Sequence, residues 1–181
     1  MMNYLYENNI KIKKHVVLDR MNYILLPSSG EDSQERFKSS IANGIPLEKI
    51  KDKLPADVVK TLSESKSIAW GFIDSSKNNN NKWQKLENGD IVVFYRQKRL
   101  FYRGKICGKI IDHDLAVSLW GHDSNGLTWD LVFFINEMEP IDYPWVPELM
   151  GYKSNCFPQS ANIFKPYSIQ YNGLKKMIHD E

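Results

Sequence analysis

Two neighbouring segments with regularly spaced apolar residues place the strongest constraint on the fold of this chain. An apolar run from Ile91 to Tyr95 is followed by the polar turn Arg96-Gln97-Lys98-Arg99, and a second run extends from Leu100 to Ile110. Two extended runs joined by a short polar turn are typical of an antiparallel β-hairpin. On the second strand, the two-residue period predicts one face with Leu100, Tyr102, Ile106 and Ile110 and an opposite face with Phe101, Arg103, Lys105 and Lys109.

The segments on either side of the hairpin predict further strands and several helices. We expect strands over Tyr23–Leu26, over Ser67–Phe72 and over a segment that contains Trp129, Leu131, Phe133 and Ile135. Helices are expected from Ser29 or Asp32 to Asn43 and over Leu47–Leu54, Pro55–Ser65, Pro144–Tyr152 and Tyr171–Asp180, with a mobile polar loop at Asp74–Lys82. Because most helices precede the hairpin, the sequence indicates an α+β fold with a curved mixed sheet or small β-barrel and flanking helices.

The length of 181 residues predicts a single domain with a core of ordinary size. Residues 1–19 are expected to form an N-terminal extension, residues 20–165 the core, and residues 166–181 a C-terminal helix. The sequence has no run of about 20 apolar residues that could span a bilayer, and its first residues lack the features of a secretory signal. With only two cysteines, Cys107 and Cys156, it predicts a reducing, cytoplasmic setting and no membrane contact.

The sequence carries none of the common signatures of nucleotide or metal chemistry. It contains neither GxxxxGK followed by Ser or Thr nor GxGxxG, and its four histidines stand at no zinc-binding spacing with the cysteines. We therefore expect no cofactor, no metal and no catalytic residue. Asp57 together with Glu64-Ser65-Lys66 superficially matches the carboxylate spacing of metal-dependent nucleases. A small nuclease is therefore an alternative from another functional class.

Aromatic residues are abundant and make up 12% of the chain. Five tryptophans, nine tyrosines and eight phenylalanines exceed what a core of this size requires, which leaves some of them to stack on a ligand. Trp70 lies between Ala69 and Gly71, whose small size leaves space beside the indole. This arrangement indicates either a core position or one wall of a binding pocket, and the residues alone leave both open.

Four motifs follow one another in an order that resembles a known group of domains. They are YILLPSSGED at the first core strand, SIAWGF, DIVVFYRQKRLFYRGKI and LWGHDSNGLTWDLVFFI, followed by a proline-led segment at Pro144–Leu149 and the pair Gly151-Tyr152. Over about residues 20–165, this order resembles the YTH/EVE branch of the PUA-like fold. It is most similar to the EVE-like DNA-recognition domains at the N-terminus of McrB-type modification-dependent restriction proteins.

The resemblance implies a noncatalytic reader that rotates a methylated or otherwise modified base out of double-stranded DNA into an aromatic cage. The residues that would hold the base are Trp70 and Trp120 as walls, Trp83 as a lid, and Ser28, Ser29 and Asp32 at the base edge. The resemblance also implies a targeting role in a restriction system, with a GTPase motor and a nuclease on other segments or chains. The identity of the modified base stays open. A reader of methylated single-stranded RNA is the alternative with the same fold, and a pure interaction module, whose aromatic residues bind a partner chain, is another.

Contacts with the DNA backbone depend on how the positive charges are distributed, because the net charge is only +2. Six basic residues on the hairpin form a candidate phosphate-binding strip: Arg96, Lys98, Arg99, Arg103, Lys105 and Lys109. Lys11, Lys13 and Lys14 form a second basic patch near the N-terminus. A solvated strand face is the alternative interpretation of the hairpin strip.

Overall fold

The computed structural model describes residues 21–62, 66–74 and 77–179. The expected N-terminal extension, with Lys11, Lys13 and Lys14, lies outside these residues. The strands in the described ranges are β1 Tyr23–Pro27, β2 Ile45–Pro46, β3 Lys66–Phe72, β4 Ile91–Arg96, β5 Arg99–Ile111, β6 Leu131–Pro144 and β7 Asn162–Phe164. The α-helices are α1 Glu31–Arg36, α2 Ala56–Thr61, α3 Lys77–Gln84, α4 His113–Trp120 and α5 Ile169–His179, and 3-10 segments occupy Leu47–Lys49, Lys51–Lys53 and Pro147–Met150.

The strands form one sheet in the order β2-β3-β6-β5-β4-β1-β7. Strands β1 and β4 run parallel, and the other neighbouring pairs are antiparallel. Within the described residues the two edge strands, β2 and β7, do not pair with each other, so the sheet is curved but unclosed. The structure confirms the predicted α+β fold with a curved mixed sheet, whereas a closed barrel is not formed.

Apolar side chains cover both faces of the sheet. The inner cluster combines sheet residues such as Trp70, Phe94 and Phe133 with Phe37 and Ile41 from the helical segment that follows β1. On the opposite face, helices α2 and α4 pack against one half of the sheet. Helix α5 and the 3-10 segment after β6 pack against the other half. The alternation of strand residues between these clusters places Trp70 on the inner face.

Strand β5 departs from the strict alternation that its sequence predicts. Its pairing with β6 shifts register at three places, as expected for β-bulges. Two bulges add a residue to β5 itself, Phe101 where it pairs with β4 and Cys107 where it pairs with β6, and the side chains that follow each of them change faces. Leu100 therefore packs in the cluster of α5, Tyr102 and Ile106 pack in the inner cluster, and Ile110 packs in the cluster of α2 and α4. The prediction that these four side chains share one face is wrong.

The asparagine-rich helix α3 covers residues 77–82 of the segment that the sequence predicts as a mobile loop, and residues 75 and 76 of that segment lie outside the described ranges. Asn79 Nδ2 in helix α3 donates to the carbonyl of Ile73 at 3.0 Å. Trp83 Nε1 in the same helix donates to the carbonyl of Val132 on β6 at 3.2 Å. Asparagine is a weak helix former, but these bonds to the end of β3 and to β6 hold the helix in place. The loop prediction is wrong because tertiary contacts outweigh the local propensity.

Helix α1 continues directly into a wider, π-helical turn at Phe37–Ala42. The backbone N–H of Asn43 donates to the carbonyl of Lys38, five residues earlier, at 3.1 Å. Such a turn changes the direction of its side chains relative to an ordinary α-helix and frequently lies at a functional site. Arg36 immediately precedes this turn and Ser40 lies within it, and both residues contact tryptophans of other elements.

The C-terminal elements agree only in part with the sequence prediction. The helix expected over Pro144–Tyr152 is limited to the 3-10 segment Pro147–Met150, because β6 continues to Pro144 and pairs there with Arg99. The expected C-terminal helix is present as α5. None of the helices in the described ranges combines the length and the apolar character that crossing a bilayer requires.

Candidate nucleic-acid interface

Trp70 lies near the end of β3, and only 4% of its surface is exposed. Its ring meets the ring of Phe94 edge to face, with the centroids 5.2 Å apart. The indole also faces the guanidinium of Arg36, whose Cζ lies 4.8 Å from the indole centroid. Trp70 therefore packs against Phe94 in the core and also contacts the polar, planar guanidinium of Arg36.

The same guanidinium stacks on Trp129, which precedes β6 by two residues. The Cζ atom of Arg36 lies 3.9 Å from the Trp129 ring centroid, which is a van der Waals stacking distance. Trp129 is 8% exposed, yet it belongs to none of the three apolar clusters formed by the described residues. We call Trp70, Trp129 and the space filled by the Arg36 guanidinium the tryptophan slot.

Arg36 carries buried donors that find no acceptor among the described residues. Its Nε and Nη1 atoms are buried, and neither has a hydrogen-bond partner. Burial lowers the pKa of the guanidinium to about 10, while the Asp32 carboxylate, four residues earlier, acts in the opposite direction. The group is still charged at neutral pH. Since a buried donor without an acceptor costs about 1–3 kcal/mol, the slot holds polar atoms that a ligand could satisfy.

Two further buried oxygens near the inner cluster and the slot lack partners within the described ranges. They are Ser28 Oγ and Thr128 Oγ1. Ser28 continues the pairing of β1, because its N–H donates to the carbonyl of Tyr95 at 2.9 Å, and it lies two residues after Leu26 of the inner cluster. Thr128 directly precedes Trp129. Buried polar atoms without partners are rare in native proteins, so each of these oxygens is a candidate contact for a ligand.

Trp120 supports the slot from behind Trp129. It is the last residue of α4 rather than part of a loop, and its Nε1 donates to Ser40 Oγ at 2.5 Å. Its ring meets the Trp129 ring edge to face with the centroids 6.3 Å apart. A Cβ atom at Gly71 would lie 2.9 Å from Trp120 Cζ3 and 2.6 Å from the carbonyl oxygen of Trp129. The absence of a side chain at Gly71 therefore lets both residues approach β3.

The remaining residues that were expected to hold a base lie in three different environments. Trp83 is half-buried on α3, where its indole bonds to Val132 and lies 4.5 Å from Lys109 Nζ, so it is anchored rather than carried by a mobile loop. Ser29 is exposed, and its carbonyl accepts a hydrogen bond from the side chain of Gln34 at 2.8 Å. Asp32 is exposed in the first turn of α1. Trp70 lies in the inner cluster with Trp83 packed against it, whereas Trp120 packs against the cluster on the opposite face and reaches the slot through its contact with Trp129. Ser28 is buried at the end of β1, and Ser29 and Asp32 are exposed.

The basic strip predicted on the hairpin carries acidic partners from the next strand. Three cross-strand ion pairs join β5 to β6: Arg99 with Asp142, Arg103 with Glu139 and Lys105 with Glu137. Lys109 Nζ donates to the carbonyls of Trp83 and Gln84, each at 3.2 Å. Arg96 stacks on Phe101 at 4.6 Å, and Lys98 lies 5.2 Å from the ring of Phe157. The strip is a mixed-charge surface in which much of the positive charge is already balanced.

The residues of the nuclease alternative are only partly described. Asp57 is exposed on α2, and Glu64 lies outside the described residues. In the ranges 21–62, 66–74 and 77–179, no three histidine, cysteine or carboxylate side chains are grouped so that they could hold a metal ion. The nuclease therefore stays a hypothesis with its own test.

Sequence reasoning missed the two residues that define the slot together with Trp70. Trp129 shares the parity of Leu131 and Phe133, which predicts a core position, and burial agrees with that interpretation. Its contact with the guanidinium of Arg36 depends on the position of the last turn of α1, which the sequence of Trp129 and its neighbours does not determine. Arg36 gives no sequence signal, because a single arginine in a polar helix is normally solvated.

The curved, unclosed mixed sheet with flanking helices defines an α+β domain, and this arrangement is consistent with a PUA-like fold. Among solved structures, the chain is similar to the N-terminal domain of McrB from Thermococcus gammatolerans, a structure determined bound to m5C DNA. The TM-score is 0.62 at 20% sequence identity, and the match covers 86% of this chain and 98% of that chain. No family model and no curated protein matches the chain. The similarity confirms, for the fold, the resemblance to McrB N-terminal domains that the sequence motifs predict.

Proposed function

We propose that this chain is a noncatalytic reader of modified DNA, which flips a modified base out of the duplex and holds it in the tryptophan slot. One observation carries the proposal: a planar, hydrogen-bonding group already lies at stacking distance from Trp129 and against Trp70. The fold adds support, because a domain of the same fold has been solved with methylated DNA. Trp120 positions Trp129 in this account and does not itself stack on the base.

The energy of stacking makes two aromatic walls sufficient to hold a flipped base. A base that leaves the duplex loses a few kcal/mol of stacking and pairing, and each aromatic contact returns about 1–3 kcal/mol. A methyl group adds only about 0.8 kcal/mol of apolar burial, which corresponds to about fourfold discrimination. Selectivity therefore requires polar contacts as well, and the unpartnered hydroxyl oxygens of Ser28 and Thr128 are suited to provide them.

Entry of a base requires the guanidinium of Arg36 to leave the slot. The free-energy cost of this displacement is small. Its two cation–π contacts are worth about 0.5–2 kcal/mol each. Its two buried donors without acceptors cost about 1–3 kcal/mol each, and water or a phosphate would satisfy them outside the slot. The donors together cost about 2–6 kcal/mol, somewhat more than the about 1–4 kcal/mol that the contacts supply, so a stacked base can take the place of the guanidinium at little cost.

The same balance predicts that replacing Arg36 with methionine stabilises the free protein. Methionine keeps an unbranched apolar side chain in the slot and removes the buried, unpartnered donors. We expect a gain of about 1 kcal/mol, which corresponds to a rise in Tm of about 2–4 °C for a chain of this size. Thermal unfolding followed by circular dichroism measures the change.

Arg96→Met is the matched control for this prediction. Arg96 also stacks on an aromatic ring, 4.6 Å from Phe101, but its nitrogens are not among the buried atoms without partners. This variant should therefore lose a cation–π contact without relieving any burial cost, and its Tm should stay level or fall. A larger fall in Tm for Arg36→Met than for Arg96→Met would show that the guanidinium is a stabilising part of the core.

As a reader, the chain would act as the targeting domain of a modification-dependent restriction system. In that role, a GTPase motor and a nuclease would be supplied by other segments or chains. The base-holding residues proposed here are Trp70 and Trp129, and the guanidinium of Arg36 occupies their slot in the free protein.

A binding panel tests the proposed function. Duplexes of one sequence that carry 5-methylcytosine, N6-methyladenine or no modification at a single position are titrated with the protein, and methylated single-stranded RNA is added as a competitor. The proposal predicts tighter binding to at least one modified duplex than to the plain duplex, and weak competition by RNA. Equal affinity for all duplexes, or preference for the RNA, would overturn it. Incubation with DNA and magnesium tests the nuclease in parallel, and cleavage would contradict a noncatalytic reader.

A further inference from the structure

A polar groove of about 530 Å³ lies between helix α3 and the edge of the sheet formed by β1 and β7. Its helical wall consists of Asn78, Asn81 and Lys82, which have the spacing of one helix face, and Lys85 follows directly after the helix. Its other lining residues are Asn22, Glu87, Asn162, Ile163 and Lys165. Helix α3 therefore presents one face to this groove and uses Trp83 on another face as its anchor to β6.

The charge of the groove suits an anionic ligand. Its lining includes three lysines and a single carboxylate, that of Glu87. In the part of the chain that the structure describes, none of Lys82, Lys85 and Lys165 forms an ion pair. Burial lowers the pKa of Lys82, which shows that its ammonium group is partly withdrawn from water. The groove thus holds three ammonium groups and one carboxylate, and within the described residues none of the three ammonium groups is ion-paired.

The contrast with the hairpin strip decides between two candidate surfaces for nucleic-acid phosphates. On the strip, Arg99, Arg103 and Lys105 each have a carboxylate partner from β6. A phosphate that binds there has to compete with these carboxylates, whereas a phosphate in the groove meets unpaired ammonium groups. Counterion release depends on such unpaired charges, so the groove offers the larger gain in binding free energy.

Helix α3 also connects the groove to the tryptophan slot. Trp83 donates to the carbonyl of Val132, and Val132 pairs with Gly71, the neighbour of Trp70 on β3. Both Trp83 and Ile163, which lines the groove, pack against the inner cluster that contains Trp70. A DNA strand bound in the groove would therefore lie against residues that pack on the inner cluster, which also contains Trp70.

We propose that this lysine and asparagine groove binds the phosphate backbone of the DNA strand. The proposal rests on the proposed function, since it assigns the backbone contacts of the same reader. Lys82, Lys85 and Lys165 make the charged contacts, and Asn78 and Asn81 add side-chain amides that can donate to phosphate oxygens. The contact is independent of sequence and of base modification.

The test compares two triple variants that lose the same charge. The groove variant carries Lys82→Gln, Lys85→Gln and Lys165→Gln, and the control carries Lys49→Gln, Lys53→Gln and Lys60→Gln, three exposed lysines on the segments from β2 to α2. Affinity for the plain and the modified duplex is measured between about 50 and 200 mM salt. Thermal unfolding checks that both variants fold.

For the groove variant, we expect affinity to fall about 10- to 100-fold for both duplexes, with the logarithmic salt dependence reduced by about 0.9 for each lost contact. The ratio of the two affinities should not change, and the control should bind like the wild type. In the wild-type protein, the duplex should also protect Lys82, Lys85 and Lys165 from acetylation, measured by mass spectrometry.

Each other outcome overturns a specific part of the account. An unchanged salt dependence and no protection of the groove lysines, in a protein that still prefers the modified duplex, would overturn the groove and leave the reader intact. A reduced salt dependence in a protein without any preference would overturn the reader and support the groove as a general nucleic-acid site. An equal loss in the control variant, or a wild type that binds no duplex, would overturn the groove.

Discussion

Replacing Trp129 with leucine is expected to lower the affinity for a duplex with a modified base by about 5- to 150-fold. This range corresponds to the 1–3 kcal/mol that one stacking contact with a base contributes. Leucine keeps an apolar side chain beside Trp120 and Gly71 but removes the flat face on which the Arg36 guanidinium stacks in the free protein. Affinity for the plain duplex, which depends on backbone contacts, should change little. Fluorescence anisotropy titrations with both duplexes measure the effect.

Trp129→Phe is the matched control, because phenylalanine retains an aromatic face in the same position. It should recover most of the preference for the modified duplex, with an affinity within about threefold of the wild type. Two results would contradict the slot. One is an unchanged preference in Trp129→Leu, and the other is an equal loss in the leucine and phenylalanine variants, which would indicate that packing and not stacking is affected.

Replacing Trp70 with alanine is expected to lower the free energy of unfolding by about 3–5 kcal/mol, the usual cost of removing a buried tryptophan side chain. The indole is 4% exposed and packs in the inner cluster with Phe94, so its loss leaves a cavity that the sheet cannot fill. Urea unfolding measures the change, and the unfolding midpoint should fall without a change in slope.

Trp83→Ala provides a comparison for this effect. Trp83 is only half-buried, and its removal costs part of the apolar contact and the hydrogen bond to Val132. We expect a smaller loss of about 1–2 kcal/mol. A cost for Trp70→Ala below that of Trp83→Ala would contradict the placement of Trp70 in the core. The expected instability also makes Trp129, rather than Trp70, the better position for testing base recognition.

The elements that the sequence predicts well are those whose pattern is local. The hairpin Ile91–Ile111 and the strands at Tyr23 and Ser67 follow from short apolar runs bounded by turns, and all of them are present. The faces of β5 could not be predicted, because its bulges depend on the pairing with β4 and β6 and not on the sequence of β5 alone. Helix α3 was missed for a similar reason, since its stability comes from bonds to Ile73 and Val132.

The candidate site shows the same limit. The small neighbours of Trp70 indicate a contact site near this residue, and the structure places Trp129 and Trp120 against Gly71 and the Arg36 guanidinium against the Trp70 ring. The second wall could not be predicted, because Arg36 and Trp129 are far apart in sequence and meet only through the course of α1 and its π-helical turn. The acidic partners of the hairpin strip also lie on another strand, and only the register of β5 with β6 identifies them.

The central claim is that a modified base leaves the duplex and enters the tryptophan slot. The most direct measurement is the emission of 2-aminopurine placed beside the modified base, because its fluorescence increases when its stacked neighbour is removed. At protein concentrations that saturate the duplex, we expect emission to rise with the wild type and with Trp129→Phe and to stay low with Trp129→Leu. Emission at the level of the free duplex, while anisotropy shows complete binding of the wild type, would contradict the claim.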